Sequence, residues 1–503
     1  MTIHQEQVVV VGAGVAGCTA ALAAARNGLR VTLVDEHPQN TTSMSLDAPY
    51  FYGARLASVL SDEATIADRV LGSNDLLMDC LEAGVEVITN TCVWGVFVPG
   101  ENTQNLSGKQ VGLADADKSW MLGFDYLVLA TGARDLVLSF PNWELPGVLG
   151  VKAATTLLGK YQALGGNELV VLGSGNIALQ FALQAIEAGV NIVGIVEPAA
   201  TIQGDSALAS ALKQHSVPFF LDTTVVEATG KNQVSGIRLV GLGVNKETID
   251  LSCDTICMAY GAVPNIELAA VARCSTRFDA SLGGWVPQLT QEQATSVDGV
   301  YVIGDASGID ECALIHPEVA ISQAYRAVAS ILAFEKIAPD FQVQNPGVTT
   351  SSTSSYPPNL WLDSLVAAAG LDVIACQCEE VTRRQLLSVN APRYLHVENG
   401  SPDDALAKLI VKGSANQDMH KRMTRVGMGH CQGRRCREHS SMLLAGFSNL
   451  PLSAVLPGSY RIPVRLLSIA VMTAHDEPAS MGDRWPYWLN PVEDIAPHRE
   501  PER

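Results

Sequence analysis

Residues 7–17 read Gln-Val-Val-Val-Val-Gly-Ala-Gly-Val-Ala-Gly. The four valines suit a strand buried on both faces of a parallel sheet. Gly12, Gly14 and Gly17 follow at G-x-G-x-x-G spacing and open a helix expected to reach Asn27 and stop at Gly28. Val31–Val34 is the next expected strand, and Asp35 closes it. A glycine triplet between strand and helix, with a carboxylate about twenty positions on, is the dinucleotide-binding fingerprint. Gly12 permits the tight turn, Gly14 lets backbone approach a pyrophosphate, and Gly17 lets the helix pack on the strand. The helix N-terminus would face the phosphates, and Asp35 stands where a carboxylate takes a ribose hydroxyl.

The pattern recurs. Glu168-Leu-Val-Val-Leu-Gly173-Ser-Gly175-Asn-Ile-Ala178 repeats strand and turn, with Ala178 in place of the third glycine and Glu197 ending the following strand. An acidic strand end favours NAD over NADP, and the alternative is a retained fold that binds no nicotinamide. Two further strands end in motifs, Tyr126-Leu-Val-Leu-Ala-Thr131-Gly132 and Val300-Tyr-Val-Ile-Gly304-Asp305. A helix is expected at His316-Pro317-Glu318, with proline at a favourable first position.

With these segments residues 5–338 resemble the glutathione reductase-like flavoproteins, which carry two nested dinucleotide-binding (Rossmann-like) domains. The resemblance implies an α/β fold with an FAD- or ADP-binding domain at 1–140 and 260–338 and an NAD(P)-binding-like domain at 141–259. It implies that Asp305 holds the flavin ribityl chain and that Thr131, Gly132, Gly304 and Val93 face the same nucleotide. Relatives carry a Gly-Gly pair after the second strand, but the run here is Gln39-Asn-Thr-Thr-Ser-Met-Ser45. That departure leaves a second occupant open, an adenine nucleotide such as ATP without a working flavin.

Four cysteines near the C-terminus carry a different chemistry. Cys376 and Cys378 form a C-x-C pair, and Cys431 and Cys436 a C-x4-C pair inside Gly427-Met-Gly-His-Cys431-Gln-Gly-Arg-Arg-Cys436. Two loops giving four thiolates meet the requirement of a [2Fe–2S] cluster. The glycines allow backbone N–H groups to approach sulfur, and Arg434, Arg435 and Arg437 offset its negative charge. Structural zinc is the competing reading, but zinc pairs are commonly spaced C-x2-C to C-x4-C. With eleven cysteines in 503 residues the chain is no disulfide scaffold. No C-x2-C pair occurs, which argues against a disulfide reductase. Cys18, Cys80, Cys92, Cys253, Cys257, Cys274 and Cys312 read as buried small hydrophobes.

Residues 366–446 resemble the bacterioferritin-associated ferredoxin-like [2Fe–2S] domain, with a helical stretch at Thr382–Val389 and an insertion near Ala391–Ser414. A Ser/Thr/Pro-rich linker is expected at 339–365. The tail, 447–503, contains Arg484-Trp-Pro-Tyr-Trp488, read as a docking element or as self-packing.

The apolar content of 47% fits a well-buried globular chain. A net charge of −19 argues against nucleic-acid backbones and anionic membranes. No run of transmembrane length appears. Thiolate ligands without an export signal point to a reducing, cytoplasmic setting, with peripheral attachment at the inner membrane through an acceptor as the variant.

The whole combination resembles the α-type components of heteromeric flavin-dependent amino-acid dehydrogenases, a group that spans the opine oxidases, the dye-linked proline and hydroxyproline dehydrogenases, and hydrogen cyanide synthase. The resemblance implies a β-type FAD-dependent subunit that oxidises the amine, a small third subunit in some complexes, an FMN at the subunit interface, and a quinone or dye as acceptor. The chain would carry electrons and would not itself oxidise the amine; no acid–base pair for that step can be named. Two other readings stay open: a self-sufficient NADH-dependent reductase, and a nucleotide-bound scaffold subunit.

Overall fold

The computed structural model describes residues 4–38, 63–100, 108–243, 247–309, 316–346, 358–389 and 416–473. The Gln39–Ser45 run, the expected insertion at Ala391–Ser414, Cys312 and the Arg484–Trp488 cluster lie outside the described residues.

The first strand, β1 (His4–Val11), is followed by the helix Val15–Arg26 and β2 (Val31–Val34). Val8, Val9 and Val10 are fully buried, as a central parallel strand requires. Four more strands complete the first sheet's main path: β3 (Glu86–Ile88), β4 (Cys92–Phe97), β5 (Gln110–Ala114) and β6 (Ser119–Leu129). Their order is β3-β2-β1-β6-β5-β4, and a late strand, Val300–Val302, returns to pair with β6 in parallel. That return sets the Gly304–Asp305 turn beside the first glycine turn. The helix Pro317–Phe334 then packs against Val15–Arg26, with proline in its first turn and His316 as N-cap.

A second parallel sheet holds β8 (Val148–Gly150), β9 (Glu168–Leu172), β10 (Asn191–Val196), β11 (Phe219–Phe220) and β15 (Thr255–Met258) in the order β11-β10-β9-β15-β8. An antiparallel sheet (Thr223–Gly230, Val234–Gly241 and Thr248–Leu251) is built on it. Between the two sheets, β7 (Ala133–Asp135) pairs with β16 (Ala262–Pro264) as a two-stranded crossing.

The C-terminal part is not a separate bead on a linker. Residues 358–365, expected within the linker, lie in the helix Pro358–Ala369. Trp361 and Leu365 on that helix are fully buried. The Trp361 ring sits 4.7 Å from the fully buried Tyr260 ring. The same apolar core contains Val170, Ile256 and Met258 of the second sheet together with Ala375, Cys376, Val381, Leu386 and Cys436. Arg383, fully buried, begins the short helix Arg383–Leu387. Its guanidinium donates to the carbonyl of Gly370 at 2.9 Å and to that of Ser139, 244 residues away in sequence. The Trp143 indole N–H donates to the Ile374 carbonyl at 2.9 Å. Buried polar groups that satisfy one another across a boundary fix its geometry, because breaking them strands a partner.

Replacing Trp361 by alanine should therefore cost about 3–5 kcal/mol. A lowered chemical-denaturation midpoint, followed by near-ultraviolet circular dichroism, is the check; an unchanged midpoint would mean that this core is not shared.

The tail also folds back. Val464 donates its N–H to the Trp94 carbonyl at 2.8 Å, and Arg465 pairs with Glu36 at 2.9 Å. Of the cysteines read as buried hydrophobes, Cys18, Cys80, Cys253, Cys257 and Cys274 are buried; Cys92 is only half-buried.

Candidate nucleotide cleft and thiol cluster

The first glycine turn opens on a cleft of ≈ 340 Å³. Gly12 has φ +105°, and a Cβ there would lie 2.3 Å from the Ala130 carbonyl oxygen. A Cβ on Gly17 would lie 1.8 Å from the Gly12 oxygen, so only glycine allows the helix to start here. Gly14 differs: nothing lies within 4 Å of its Cβ position, and it lines the cleft. Asp35, buried at the end of β2, accepts the N–H of Ala13 at 2.5 Å and of His37 at 2.7 Å. Burial pushes its carboxyl up, but the His37 and Lys160 charges and the two N–H bonds outweigh this and hold it below the usual range. Val93, Thr131, Gly132 and Asp305 line the same cleft. The Thr131 hydroxyl donates to the Asn265 carbonyl at 2.8 Å, and the Asn265 side chain donates back to the Thr131 carbonyl at 2.9 Å. Gly304 supports the turn, its N–H bonded to Gln323 at 2.8 Å.

Several cleft residues escaped the sequence reading. Lys152 sits 2.9 Å from Asp305. Burial pushes the ammonium down in pKa, but Asp305 overrides this and raises it. Lys160, Arg134, Arg434 and Arg465 also line the cleft. They come from two distant parts of the chain, and the only one inside a motif, Arg434, is read there for the cysteines and not for this cleft.

The second glycine turn is closed. Gly173 has φ +123°, Ser174 is fully buried and Glu197 is 1% exposed. Glu197 accepts the N–H and the hydroxyl of Ser174 at 3.0 and 2.7 Å, and the N–H of Ala199 at 3.1 Å. The chain then crosses the turn. Gln203 donates to the Ser174 hydroxyl at 3.0 Å, Gly204 to the Ser174 carbonyl at 2.7 Å, and Asp205 to the Asn176 side chain at 2.7 Å. A Cβ on Gly204 would come within 2.9 Å of the Gly175 carbonyl carbon. Ala178 is buried in the core beneath.

The four expected ligand cysteines are mutual neighbours. Cys376 Sγ lies 4.0 Å from Cys378 Sγ, which lies 3.7 Å from Cys431 Sγ, and Cys436 touches both Cys376 and Cys431. No group of three or more His, Cys, Asp or Glu side chains among the described residues has the geometry of a metal-ion site. The backbone nevertheless suits thiolates. Cys376 is pushed down to about 4 by S–H donation from Cys378 and Cys436 and by the Gly427 N–H. Cys431 is pushed down by Cys378 and Cys436 and by the Arg435 and Gly433 N–H groups. Cys378 and Cys436, the donors in this ring, are raised. Gly429 is needed for closure, since a Cβ there would fall 2.5 Å from Cys378 Sγ.

The three arginines do not surround the thiols as free charge. Arg435 stacks on the Trp143 ring at 4.9 Å, and Arg437 on Tyr460 at 4.0 Å. Arg434 faces the nucleotide cleft, so the loop carrying Cys431 and Cys436 forms part of its wall. Arg134 pins that loop, donating to the Arg434 carbonyl at 3.0 Å and pairing with Glu438 at 2.5 Å.

Two nucleotide-type α/β folds, one open on a basic cleft and one with its glycine turn closed, define the class. Residues 6–330 match the pyridine nucleotide-disulphide oxidoreductase family, and the chain belongs to it. It is 24% identical over 512 residues to the A-type component of opine oxidase from Agrobacterium tumefaciens (strain Ach5), covering 92% of this chain and 90% of that protein. It is 25% identical over 476 residues to hydrogen cyanide synthase subunit HcnB of Pseudomonas aeruginosa, covering 85% and 90%. The fold is shared with L-proline dehydrogenase from P. horikoshii at a TM-score of 0.60, with 19% identity, 94% of this chain and 81% of that one. No helix among the described residues is long and apolar enough to cross a membrane.

Proposed function

We propose that this chain is the electron-transfer component of a heteromeric flavin-dependent amino-acid or opine dehydrogenase. A partner of the β-type oxidises the amine, and this chain passes the electrons through a [2Fe–2S] cluster on Cys376, Cys378, Cys431 and Cys436 to an external acceptor. The observation that carries the reading is the shared loop: the residues between Cys431 and Cys436 bring Arg434 into the wall of the nucleotide cleft. A redox group in that cleft and one on the thiols would be held by the same few residues, with no domain movement between them. The C-x-C spacing and the N–H groups aimed at sulfur support iron–sulfur over zinc. The relatives, named as parts of larger enzymes, support the heteromeric state.

Gly12, Gly14, Gly17 and Asp35 would hold an ADP moiety, and Asp305 with the Thr131–Gly132 turn the flavin end of FAD. FAD, when bound, exchanges electrons singly or in pairs. One observation favours a second occupant. Asp305 is engaged by Lys152, with Arg434 lining the same cleft. Cations beyond the glycine turn suit the outer phosphates of an adenosine polyphosphate. The two occupants separate by mutation. Lys152→Met should release an adenosine polyphosphate and spare FAD, whereas Asp305→Ala should release FAD. The nucleotide that copurifies with each variant, identified by mass, is the measurement.

The closed second turn supports a donor other than NADH. The wild-type chain should show no bleaching of visible absorbance with NADH, and should be reduced when the amine-oxidising partner and its substrate are added. Full reduction by NADH alone would replace this reading with that of a self-sufficient reductase.

A further inference from the structure

A second cavity, of ≈ 490 Å³, is lined by β16, whereas β7, its partner in the crossing, lines the nucleotide cleft. Its walls come from Ala262–Pro264, from the hairpin Thr276–Asp279 with Gly284–Pro287, and from the helix Arg437–Phe447. Neither the glycine turns nor the four cysteines account for it.

Its chemistry is narrow. Phe278 and Trp285 meet edge to face with ring centroids 5.8 Å apart, and Tyr460 adds a third ring, stacked on Arg437. Arg437 is 8% exposed, and its Nη1 has no hydrogen-bond partner among the described residues. The Tyr260 hydroxyl, on a fully buried residue that also lines the cavity, is in the same condition. Among the described residues the lining has one carboxylate, Glu438, and Arg134 already holds it at 2.5 Å. No unpaired carboxylate is left among the described residues of this wall for the ammonium group of a free amino acid. Aromatic faces with N–H and O–H donors instead suit a planar, uncharged ring that carries carbonyl oxygens. Position adds a second constraint. Arg437 follows Cys436 directly, so a residue of the cavity wall is the chain neighbour of a cysteine of the ring.

We propose that this cavity binds the headgroup of a quinone, against the residue that follows Cys436 of the thiol ring. The assignment rests on the electron-transfer reading above and supplies its exit. Reduction there would take two electrons from the amine oxidised by the partner and two protons from solvent at the cavity mouth, giving the quinol. Arg437 would hold one carbonyl oxygen, and Phe278, Trp285 and Tyr460 would enclose the ring.

The test uses the full-length oxidised chain without its partner and ubiquinone-1 as probe, with binding read by equilibrium dialysis. Ala280 lines the cavity but is exposed to solvent, so Ala280→Trp obstructs it without emptying a core position. The expected result is one quinone per wild-type chain and at least a tenfold higher Kd for Ala280→Trp, whose iron content and circular dichroism match the wild type. Gly14→Val should bind the quinone as the wild type does. An unchanged Kd in Ala280→Trp, displacement of the quinone by ATP or FAD, or no binding at all overturns the assignment. So does FMN binding that Ala280→Trp abolishes while quinone binding persists. Binding requires no electron transfer, so the two readings fail separately. Quinone bound to a chain that cannot load iron sinks the electron-transfer reading alone, and an iron-loaded chain that binds no quinone sinks the cavity assignment alone.

Discussion

Cys431→Ser is expected to bring the iron of the anaerobically purified chain from about two per molecule to near zero, since a [2Fe–2S] cluster needs all four thiolates. Cys431 is the thiol that two neighbouring thiols and two backbone N–H groups hold in its charged form. A serine hydroxyl in its place keeps the size and loses the soft anionic ligand. In the assembled complex the partner should still reduce its own flavin with the amine, and transfer to an external dye should fall to the level of the partner alone. Rapid mixing would show normal flavin bleaching and slow reoxidation. Gly429→Ala should lower iron loading by a different route, because its new Cβ would crowd Cys378 Sγ. Stoichiometric zinc and no iron in the wild type would refute the cluster, and full dye reduction by Cys431→Ser would refute its place in the path.

Gly14→Val should abolish nucleotide retention while leaving the protein folded. The distinction comes from two glycines three residues apart. The Cβ position of Gly14 is open and faces the cleft, so valine fits the empty turn and fills the space a pyrophosphate needs. At Gly17 the Cβ would collide with the Gly12 carbonyl, so Gly17→Val should damage the fold itself. Mass analysis of released nucleotide together with melting curves separates the two effects. Gly14→Val that keeps its nucleotide would mean the ligand is held elsewhere.

The parts of this molecule that could be read in advance are those whose physics is local. Gly12 must be glycine because its own φ is +105°, and the Val8–Val11 run announces a central strand by composition alone. The thiol set was legible because two short spacings supply two pairs. What stayed hidden was long-range. Lys152 gives no signal in its own helix; it matters because Val300–Val302 returns beside β6 and delivers Asp305 to it. Arg134 gains meaning only when Arg434 and Glu438, about three hundred residues later, arrive beside it. The second glycine turn left two readings open for the opposite reason. Its local pattern is intact, but Gln203–Asp205 lies across it. The helix over residues 358–365, expected within the linker, was hidden for a related reason. A Ser/Thr/Pro-rich run does lead to Pro358, but Trp361 and Leu365 behind it belong to a core shared with strands far earlier in the chain.

If the thiol ring takes the proposed cluster, that shared core would tie the supply of a nutrient to the survival of the chain. Cys376 and Cys436 are fully or nearly fully buried members of it, so filling the thiol ring and completing the hydrophobic interior become one event. A molecule made while iron is scarce would then carry an unfilled thiol ring with two of its cysteines inside an apolar core, and would spend more of its time open to proteases. Cells short of iron should then hold less of this polypeptide at unchanged messenger levels, an economy enforced by degradation, with no regulator required.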